Sequence, residues 1–405
     1  MLIYLCIEIM NYNFNQLLQL SSKKTRLIIG LMSGTSLDGL DIALCKFEGA
    51  GSDTKIEVIH FETIPFNHFF KKEVQSIFSK KMVDLEKVCL LNAWIGSEHA
   101  QMINDCLIKW SIKNENVDLI ASHGQTIYHA PKHLHQLPEF GNATLQIGDG
   151  DHIAVKTGIL TMSDFRQKHI AAGGEGAPLA VYGDYILFSK KNENRILLNI
   201  GGIANFTFLP GNLNANEMFS TDTGPGNTLM DAYVQQNFEG MSYDKEAVFA
   251  KQGNINKELL FELEQHEFFN APLPKTTGPE LFNIEYLNNA LKRTNNVHLS
   301  NYDVMATLNK FTANTISTAI QKSMHTNNFV VYSSGGGMHN PLMMEHLQND
   351  FPNIHFKTTE ELNIHPDAKE AVLFAVLANE ALCGGGTNFG KGIPNVSMGK
   401  ISFPR

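Results

Sequence analysis

The segment of residues 27–47 constrains the fold of this chain more than any other. An apolar run, residues 27–32, leads into a loop of glycines, small hydroxyl residues and aspartate, and a second apolar run, residues 42–47, follows it. Two β-type runs joined in this way indicate a β-hairpin with an open tip. Glycine lets the backbone approach a ligand closely, successive N–H groups in a tight turn bind anions, and the Thr35 and Ser36 hydroxyls can donate to phosphate oxygens. The segment therefore predicts a hairpin that holds the phosphates of a nucleotide.

An ordinary glycine- and serine-rich hairpin loop is the alternative interpretation of this segment. A Walker A loop is excluded, because that loop opens a helix and carries a lysine before its Ser or Thr, and residues 30–39 contain no lysine. Residues 385–392 come closer to the Walker A spacing, but they lack the final Ser or Thr and follow no predicted strand. We therefore discount residues 385–392 as a phosphate site.

Composition narrows the class of protein. At 405 residues the chain is long enough for two domains. Its formal net charge of −9 is unlike the basic surface of nucleic-acid-binding proteins, and no apolar run approaches the roughly 20 residues of a membrane-spanning helix. The five cysteines include no Cys-x-x-Cys pair, which is typical of reduced thiols in a cytosolic protein. We therefore expect a cytoplasmic protein that binds neither nucleic acid nor membranes.

The second half of the chain repeats the opening pattern. Arg195–Ile200 and Ala204–Leu209 are predicted strands joined by the turn Gly201-Gly202, about 170 residues after the first hairpin. Predicted strands alternate with helices in both halves, which indicates an α/β fold of mixed sheets flanked by helices. Two hairpins of this kind suggest two similar domains that face a shared nucleotide cleft.

The predicted domain limits follow from this repeat. Residues 26–180 together with 368–405 form a first lobe, and residues 181–367 form a second lobe. Residues 1–25 lack the basic segment and the small-residue cleavage site of a secretory signal. We expect them to be a loosely ordered N-terminal extension, and the alternative is that translation starts at a later codon.

Several polar residues are predicted to lie directly at the ends of strands or in loops, where α/β folds place functional side chains. His123 follows the strand Val117–Ser122, and Asp164 follows the strand Ile159–Ser163. The remaining predictions are a loop at Asp222–Asn227, a glycine turn at Gly335–Gly337 after the strand Phe329–Ser333, and a final helix, Lys369–Leu382, whose first turn carries Glu370.

Eight short motifs occur in order from about residue 28 onward. They are Gly30–Gly39, Ser122–Thr126, Leu145–Asp149, Ser163–Arg166, Asn199–Asn205, Asp222–Asn227, Ser334–Gly337 and Lys369–Ala371. Together these motifs resemble the anhydro-N-acetylmuramic acid kinases of peptidoglycan recycling, a family of the sugar-kinase, Hsp70 and actin superfamily. The resemblance implies a two-lobed, actin-like (ribonuclease H-like) ATPase fold with the nucleotide cleft between the lobes. It also implies use of ATP and Mg²⁺, a sugar substrate and a homodimer.

The reaction implied by this resemblance converts 1,6-anhydro-N-acetylmuramic acid to N-acetylmuramic acid 6-phosphate. Water must open the bridge at C1 while O6 takes the γ-phosphoryl group, so a carboxylate is needed to deprotonate the water. Asp164 lies in the motif Ser163–Arg166. The resemblance implies that this aspartate is the catalytic base. The alternative is that Asp164 forms a structural ion pair with Arg166.

The resemblance also implies a set of nucleotide-binding residues. Asp38 is expected to hold magnesium, directly or through water, because hard carboxylate oxygens suit that ion; a turn-forming role is its alternative. Asn199 stands where many relatives carry an aspartate, which argues against metal ligation there. The candidate nucleotide-binding residues are Gly34, Thr35, Ser36, Leu37, Asp38, Gly39, Leu40, Asp41, Asn199, Gly201, Gly202, Gly335, Gly336 and Gly337.

Five residues are candidate contacts of the sugar: His123, Gln125, Asp149, Asp222 and Glu370. A structural histidine is the alternative for His123, and helix-dipole stabilisation is the alternative for Glu370. Two positions depart from the usual family pattern. The chain has Glu175 where the family often has glutamine, and Pro279 where it often has arginine.

Three other functions compete with this interpretation. The first is a kinase of a different sugar or small acid, and the second is a catalytically silent ATP-binding regulator with the same fold. The third is a metal hydrolase built on His129, His133 and His135, but no fourth ligand lies at a suitable spacing. The intact Asp164 argues against the silent regulator.

Overall fold

The structure is a computed structural model that describes residues 12–34, 37–176, 179–324, 328–362, 364–384, 394 and 396–405. The described chain forms two compact units. The first comprises the residues up to Phe188 together with those after Leu362, and the second comprises Ser189–Leu362. Thr35, Ser36 and the discounted glycine-rich segment 385–392 fall outside the described residues.

The first unit is built on a seven-stranded mixed sheet with the order β12-β6-β4-β1-β2-β3, in which β5 also pairs with β4. Its strands are Thr25–Ser33 (β1), Gly39–Glu48 (β2), Lys55–Pro65 (β3), Leu119–Ala130 (β4), Ala143–Ile147 (β5), Thr161–Ser163 (β6) and, after the second unit, Lys400–Ser402 (β12). The predicted hairpin of residues 27–47 is confirmed as β1 and β2, which are paired antiparallel from Thr25↔Glu48 to Ser33↔Leu40.

One prediction about β4 is wrong. The strand does not end at Ser122 but continues to Ala130, because its second half pairs antiparallel with β5 from Gln125↔Ile147 onward. His123 and Gln125 therefore lie within a strand rather than beyond its end. Strands β1, β4 and β6 run parallel to one another, so the residues that follow Ser163 lie at the same edge of the sheet as the middle of β4.

The second unit contains a five-stranded sheet with the order β11-β10-β7-β8-β9. Its strands are Arg195–Ile200 (β7), Ile203–Leu209 (β8), Phe219–Pro225 (β9), Val330–Ser334 (β10) and Phe356–Thr358 (β11). The second predicted hairpin is confirmed as β7 and β8, and β10 runs parallel to β7 with Ser334 opposite Asn199. The predicted loop at Asp222–Asn227 is wrong, since Asp222 lies inside β9, where it pairs with Asn205.

Helices flank both sheets, and the predicted α/β class with mixed sheets is confirmed. Many begin at a side-chain cap: Asp84, Ser300 and Asn340 each accept a backbone N–H of the first turn. The α-helices are Tyr12–Ser22 (α1), His68–Gln75 (α2), Leu85–Lys109 (α3), Lys132–His135 (α4), Gly150–Thr157 (α5), Phe165–Ala171 (α6), Ala180–Phe188 (α7), Thr228–Asn237 (α8), Lys257–Leu263 (α9), Glu267–Asn270 (α10), Ile284–Arg293 (α11), Asn301–Ser323 (α12), Pro341–Asp350 (α13) and Lys369–Cys383 (α14).

The first described residues form a helix rather than the loose extension expected from the sequence. Helix α1 buries Leu20 and places the Phe14 ring 6.2 Å from that of Phe403. The Asn13 side chain donates to the carbonyl oxygen of Arg405 at 2.8 Å. The helix is thus held against the last residues of the same unit by apolar and polar contacts.

Each unit has its own hydrophobic core. In the first unit, Leu37 and Leu40 are buried in that core, so their side chains are not available to a nucleotide. The close approach of α14 to β1 depends on Gly30, where a Cβ would lie 1.9 Å from the carbonyl oxygen of Ala371. Leu85, the first residue of α3, is exposed. Within the described ranges, no helix combines the length and apolar character needed to cross a bilayer.

Candidate active site

A polar cavity of about 380 Å³ opens at the edge of the first sheet where β4 and β6 end their parallel pairing. This volume lies in the range of about 300–1,000 Å³ that is typical of ligand sites. The cavity brings together three of the predicted residues, His123, Asp149 and Asp164. It is lined in addition by Asn92, Ser122, Gly124, Gln146, Ile147, Gly148, Gly150, Asp151, Ser163, Lys400, Ile401 and Ser402.

Asp164 occupies a strained turn between β6 and α6. Its backbone is left-handed, with φ 56° and ψ 49°, a conformation that few residues other than glycine, asparagine and aspartate adopt easily. The turn projects the half-buried carboxylate into the cavity wall, where Oδ2 contacts the ammonium group of Lys400. Such strain is often found at functional positions. Lys400 is a residue that sequence reasoning missed.

His123 is buried beneath the cavity wall and is held by Arg166. The Nε–H of Arg166 donates to Nε2 of His123 at 2.9 Å, so the proton of the neutral imidazole is assigned to Nδ1. Burial, with a smaller contribution from Arg166, lowers the pKa of His123 to about 3. The ring also lies 4.8 Å from that of Phe374. His123 is therefore a neutral group near pH 7.

The other predicted sugar contacts of the first unit lie in different surroundings. Asp149 caps α5 by accepting the N–H of Asp151 at 2.9 Å. Gln125 is fully buried and does not line the cavity: Ser33 donates to its Oε1, and its Nε2 donates to the carbonyl oxygen of Gly34 at 3.4 Å. The structure thus gives Gln125 a contact with the first hairpin rather than with the cavity.

Glu370 lies in the first turn of α14, as predicted from the sequence. Desolvation raises the pKa of its carboxyl group, although the residue as a whole remains exposed, and the positive charges of Arg166 and Lys369 oppose the rise. The negative charge of Asp41 in β2 adds to the rise in the pKa of Glu370. The carboxyl group of Glu370 therefore interacts electrostatically with Arg166 and with Asp41 of the first hairpin.

Two acidic residues, Asp38 in the loop and Asp41 in β2, lie close to the tip of the first hairpin. Asp38 is exposed, and its carbonyl oxygen accepts the N–H of Phe66 at 3.1 Å. Burial raises the pKa of Asp41, the Thr63 hydroxyl opposes the rise by donating at 2.6 Å, and the negative charges of Asp367 and Asp38 add to it. These nearby like charges disfavour the ionised form of Asp41. Of the predicted loop residues, Thr35 and Ser36 lie outside the described residues.

Gly39 has a structural role at the base of the same hairpin. It is the first residue of β2, and a Cβ there would lie 2.5 Å from the carbonyl oxygen of Ile64 in the neighbouring strand. The glycine therefore permits β2 and β3 to pair up to the loop. In the described part of the loop, the backbone N–H of Gly34 remains a candidate for phosphate and the carboxylate of Asp38 a candidate for magnesium, whereas the N–H of Leu37 donates to the carbonyl oxygen of Gly34 at 3.4 Å.

In the second unit the two predicted glycine turns come together. Because β7 and β10 are neighbours, Gly335 packs on the end of β7: a Cβ at Gly335 would lie 2.7 Å from both Oδ1 of Asn199 and the carbonyl oxygen of Ile200. Gly335 also has a φ of +81°. The carbonyl oxygens of Gly201 and Gly202 accept N–H groups from residues 226–228 at the start of α8. The hairpin tip is thus fixed by backbone hydrogen bonds.

A cavity of about 480 Å³ lies beside these turns, and Gly336 lines it. A Cβ at Gly336 would have no neighbour closer than Nδ2 of Asn227, at 3.8 Å, so this glycine borders open space. Burial raises the pKa of Asp231, another lining residue, to about 6. Sequence reasoning missed most of the lining, which comprises Asn227, Met230, Asp231, Tyr243, Asp244, Lys245, Glu246, Gly336, His339 and Asn340.

Asp222 is held rigidly within the second unit. Its Oδ2 accepts the N–H of Thr277 at 2.8 Å, and its own N–H donates to the carbonyl oxygen of Lys275 at 2.9 Å. Burial raises the pKa of Asp222, while the Thr277 N–H opposes the rise. The segment that carries Pro279, one of the two departures from the family pattern, is thereby attached to β9.

The described residues contain no cluster of three or more His, Cys, Asp or Glu side chains that could hold a metal ion. Mg²⁺ does not require such a cluster, because it commonly keeps several waters and binds one or two carboxylates together with substrate phosphates. The exposed Asp38, with Asp41 near it, fits that mode of binding.

These features define the class of protein. Each unit is an α/β domain with a glycine-tipped hairpin, and the first unit carries a strained aspartate at the wall of a polar cavity. Such an arrangement is typical of an α/β enzyme that binds a small polar molecule at the edge of a sheet.

The comparisons with known proteins then identify the family. Residues 26–395 match the family model described as anhydro-N-acetylmuramic acid kinase. The anhydro-N-acetylmuramic acid kinase of Pseudoalteromonas atlantica is 58% identical over 400 residues, which cover 98% of this chain and 100% of that protein. The protein of the same name from Caldanaerobacter subterraneus is 39% identical, over 96% of this chain and 100% of its own length. The chain therefore belongs to the anhydro-N-acetylmuramic acid kinase family.

A solved structure adds little to this assignment. Component A of the (R)-2-hydroxyglutaryl-CoA dehydratase from Acidaminococcus fermentans aligns with a TM-score of 0.40 and 11% identity, over 88% of this chain and 99% of that one. A likeness this weak supports no inference about the site.

Proposed function

We propose that this protein uses ATP and water to convert 1,6-anhydro-N-acetylmuramic acid to N-acetylmuramic acid 6-phosphate, with Asp164 as the general base. The observation that carries the proposal is the position of Asp164, a carboxylate held by a left-handed turn at the wall of the polar cavity in a member of this kinase family. The relatives named above carry the sugar in their names, which supports the choice of substrate.

The chemistry explains why such a carboxylate is needed. The anhydro sugar has no free 6-hydroxyl group, because O6 forms the bridge to C1. In the proposed reaction water attacks C1, its proton passes to Asp164, the C1–O6 bond breaks, and O6 forms a bond to the γ-phosphorus as ADP leaves. The products are N-acetylmuramic acid 6-phosphate and ADP. The oxygen and one hydrogen of the water form the new hydroxyl group on C1, and the other hydrogen is released as a proton. General-base assistance of this kind contributes about 10²–10⁴-fold to a rate.

We assign the other groups by their surroundings. His123 and Asp149, which line the cavity with Asp164, contact sugar hydroxyl or amide groups. Glu370 and Asp222 complete the sugar site, and Gln125 acts indirectly by supporting the hairpin at Gly34. These roles follow the family motifs and are supported by the burial and hydrogen bonds of the individual side chains.

The hairpin tips hold ATP in this proposal. The loop from Gly34 to Asp41 binds phosphates through backbone N–H groups, and the Asn199–Gly202 turn and Gly335–Gly337 bind the rest of the nucleotide. Asp38 is the residue that would hold Mg²⁺, directly or through water. When bound, the ion would neutralise charge on the phosphate oxygens, which is the main requirement of phosphoryl transfer.

We also propose a cytoplasmic homodimer organised as two lobes, with every proposed sugar contact except Asp222 on the first and the adenosine site on the second. The thiols of Cys45, Cys89, Cys106 and Cys383 are free, which is consistent with a reducing compartment. Light scattering tests the dimer, for which the expected mass is twice the 45.1 kDa of one chain.

The experiment that tests the function is incubation with ATP and the anhydro sugar, followed by mass spectrometry of the products. The expected product is N-acetylmuramic acid 6-phosphate, formed in equal amount to ADP. Formation of ADP without a phosphorylated sugar, or phosphorylation of other sugars in preference to this one, would contradict the proposal.

A further inference from the structure

Lys400 reaches the candidate active site from the far end of the chain. Strand β12 pairs antiparallel with β6 so that Lys400 stands opposite Ser163, the residue before Asp164. Its ammonium group contacts Oδ2 of Asp164 across a separation of 236 residues. The approach of the two strands depends on Gly399, which has a φ of +97° and where a Cβ would lie 2.5 Å from Cγ of Met162. The register of the sheet therefore places this lysine at the cavity.

The charges that line the cavity are unbalanced. Asp149, Asp151 and Asp164 contribute three carboxylates, and Lys400 contributes the single ammonium group among the lining residues. His123 adds no positive charge near pH 7, because burial lowers its pKa to about 3. An anionic ligand in this cavity would therefore meet repulsion from three side chains and attraction from one.

We propose that Lys400 is the specificity-determining residue of this site and that it binds the lactyl carboxylate of the sugar. The inference rests on the proposed function, whose substrate differs from a neutral anhydro-N-acetylglucosamine by this ether-linked carboxylate. Lys400 lies beyond residue 395, where the match to the family model ends. None of the eight sequence motifs contains Lys400.

The side chain of Lys400 is suited to exchange one carboxylate for another. It is 65% exposed, whereas that of Asp164 is 24% exposed. A solvent-exposed ion pair contributes little to stability, and lysine carries a compact charge on a flexible stem. The ammonium group can therefore leave Asp164 for the incoming carboxylate without disturbing the core.

The exchange has a consequence for catalysis. While Lys400 stays on Oδ2 of Asp164, it competes with the water that the base must bind. Binding of the lactyl carboxylate draws the ammonium group away and leaves both oxygens of Asp164 available. A sugar without the carboxylate leaves the pair intact, so it is both bound more weakly and turned over more slowly.

The test compares two substrates in three proteins. The substrates are 1,6-anhydro-N-acetylmuramic acid and 1,6-anhydro-N-acetylglucosamine, each with saturating ATP. The proteins are the unmodified enzyme, Lys400→Met, and the control Lys55→Met. Lys55 is an exposed lysine at the start of β3, the opposite edge strand of the same sheet. Methionine keeps most of the length of the side chain without the charge, and thermal unfolding checks that both variants fold.

The readout is the ratio of kcat/KM for the acidic sugar to kcat/KM for the neutral one. In Lys400→Met this ratio should fall by about tenfold or more, the loss expected for a charge-assisted hydrogen bond, and most of the fall should come from a higher KM for the acidic sugar. Lys55→Met should keep the unmodified ratio. An unchanged ratio in Lys400→Met, with kcat reduced equally for both sugars, would overturn the inference, because Lys400 would then only orient Asp164. If the unmodified enzyme failed to act on the acidic sugar, the proposed function itself would be overturned.

Discussion

Arg166 donates its Nε–H to Nε2 of His123 at 2.9 Å and not to the carboxylate of Asp164, two residues earlier in the chain. Its Nη1 donates to the carbonyl oxygen of Gly176 at 2.7 Å. The guanidinium group is thus engaged with a neutral imidazole and a backbone carbonyl. The alternative in which Arg166 pins Asp164 in a structural ion pair is not what the structure shows. Asp164 instead forms an ion pair with Lys400.

The first prediction concerns Asp164. Asp164→Asn should lower kcat by about 10² or more, since the amide cannot take a proton from water. Asparagine tolerates the left-handed backbone of this position, so the fold and the binding of ATP should be retained. Steady-state kinetics and calorimetric titration with a non-hydrolysable ATP analogue measure the two quantities. Near-normal turnover in this variant would exclude Asp164 as the base.

The second prediction concerns Asp38. Asp38→Asn should raise the Mg²⁺ concentration needed for half-maximal activity, because it removes a hard anionic ligand from the hairpin tip. Titration of activity with Mg²⁺ at fixed ATP measures the change. Asp105→Asn, which alters an exposed acid on α3, serves as the control. An identical Mg²⁺ dependence in both variants would count against a role of Asp38 in binding the ion.

The third prediction separates two adjacent glycines. Gly335→Ala should lower the free energy of unfolding by about 1–3 kcal/mol or more, because φ +81° and ψ 165° are accessible essentially to glycine alone and a Cβ would clash with Asn199 and Ile200. Gly336→Ala should leave stability unchanged, since its Cβ would point into open space, but it should raise the KM for ATP. Denaturant unfolding and ATP kinetics test the pair. Equal destabilisation by both substitutions would contradict the described packing.

The fourth prediction concerns pH. His99 is completely buried beside the stacked rings of Phe66 and Phe70, with its ring centre 6.3 Å from each, and burial lowers its pKa to about 4. The unfolded chain therefore binds more protons than the folded one between about pH 6.5 and pH 4, so that stability is lost as the pH falls through this window. His99→Phe should reduce this loss by at most about 1.4 kcal/mol per pH unit.

Unfolding in denaturant at several pH values between 4 and 7 tests this prediction. The exposed His68 offers a control in the substitution His68→Gln. If the free energy of unfolding of His99→Phe fell with pH as steeply as that of the unmodified protein, buried His99 would not be a source of the acid sensitivity.

The parts of the fold that depend on local pattern could be predicted from the sequence. The two glycine hairpins, the strand before Asp164 and the helix that begins at Lys369 are all present. Apolar runs of this length, bounded by glycine and polar residues, leave few alternatives to a strand. Asp164, predicted to follow a strand directly, was therefore located correctly, although its role remains a proposal.

The parts that depend on partners distant in the chain could not be predicted. The continuation of β4 beyond Ser122 and the assignment of Asp222 to a strand both require pairing with β5 and β8, which no local pattern records. The same holds for Lys400, whose contact with Asp164 depends on the register between β12 and β6. Leu37 and Leu40 were predicted within a binding loop, but their side chains lie in the core. Leu37 and Leu40 could therefore contact a nucleotide only through their backbone atoms.

The most direct test of the central claim is a single-turnover reaction in ¹⁸O-labelled water with ATP and the anhydro sugar, stopped early and examined by mass spectrometry. Because water attacks C1 and O6 receives the phosphoryl group, the label should appear on C1 of N-acetylmuramic acid 6-phosphate and not in the phosphate. A sample of unlabelled product kept in the same water corrects for exchange at C1. Label found in phosphate, or an unlabelled sugar product, would contradict the role proposed for Asp164.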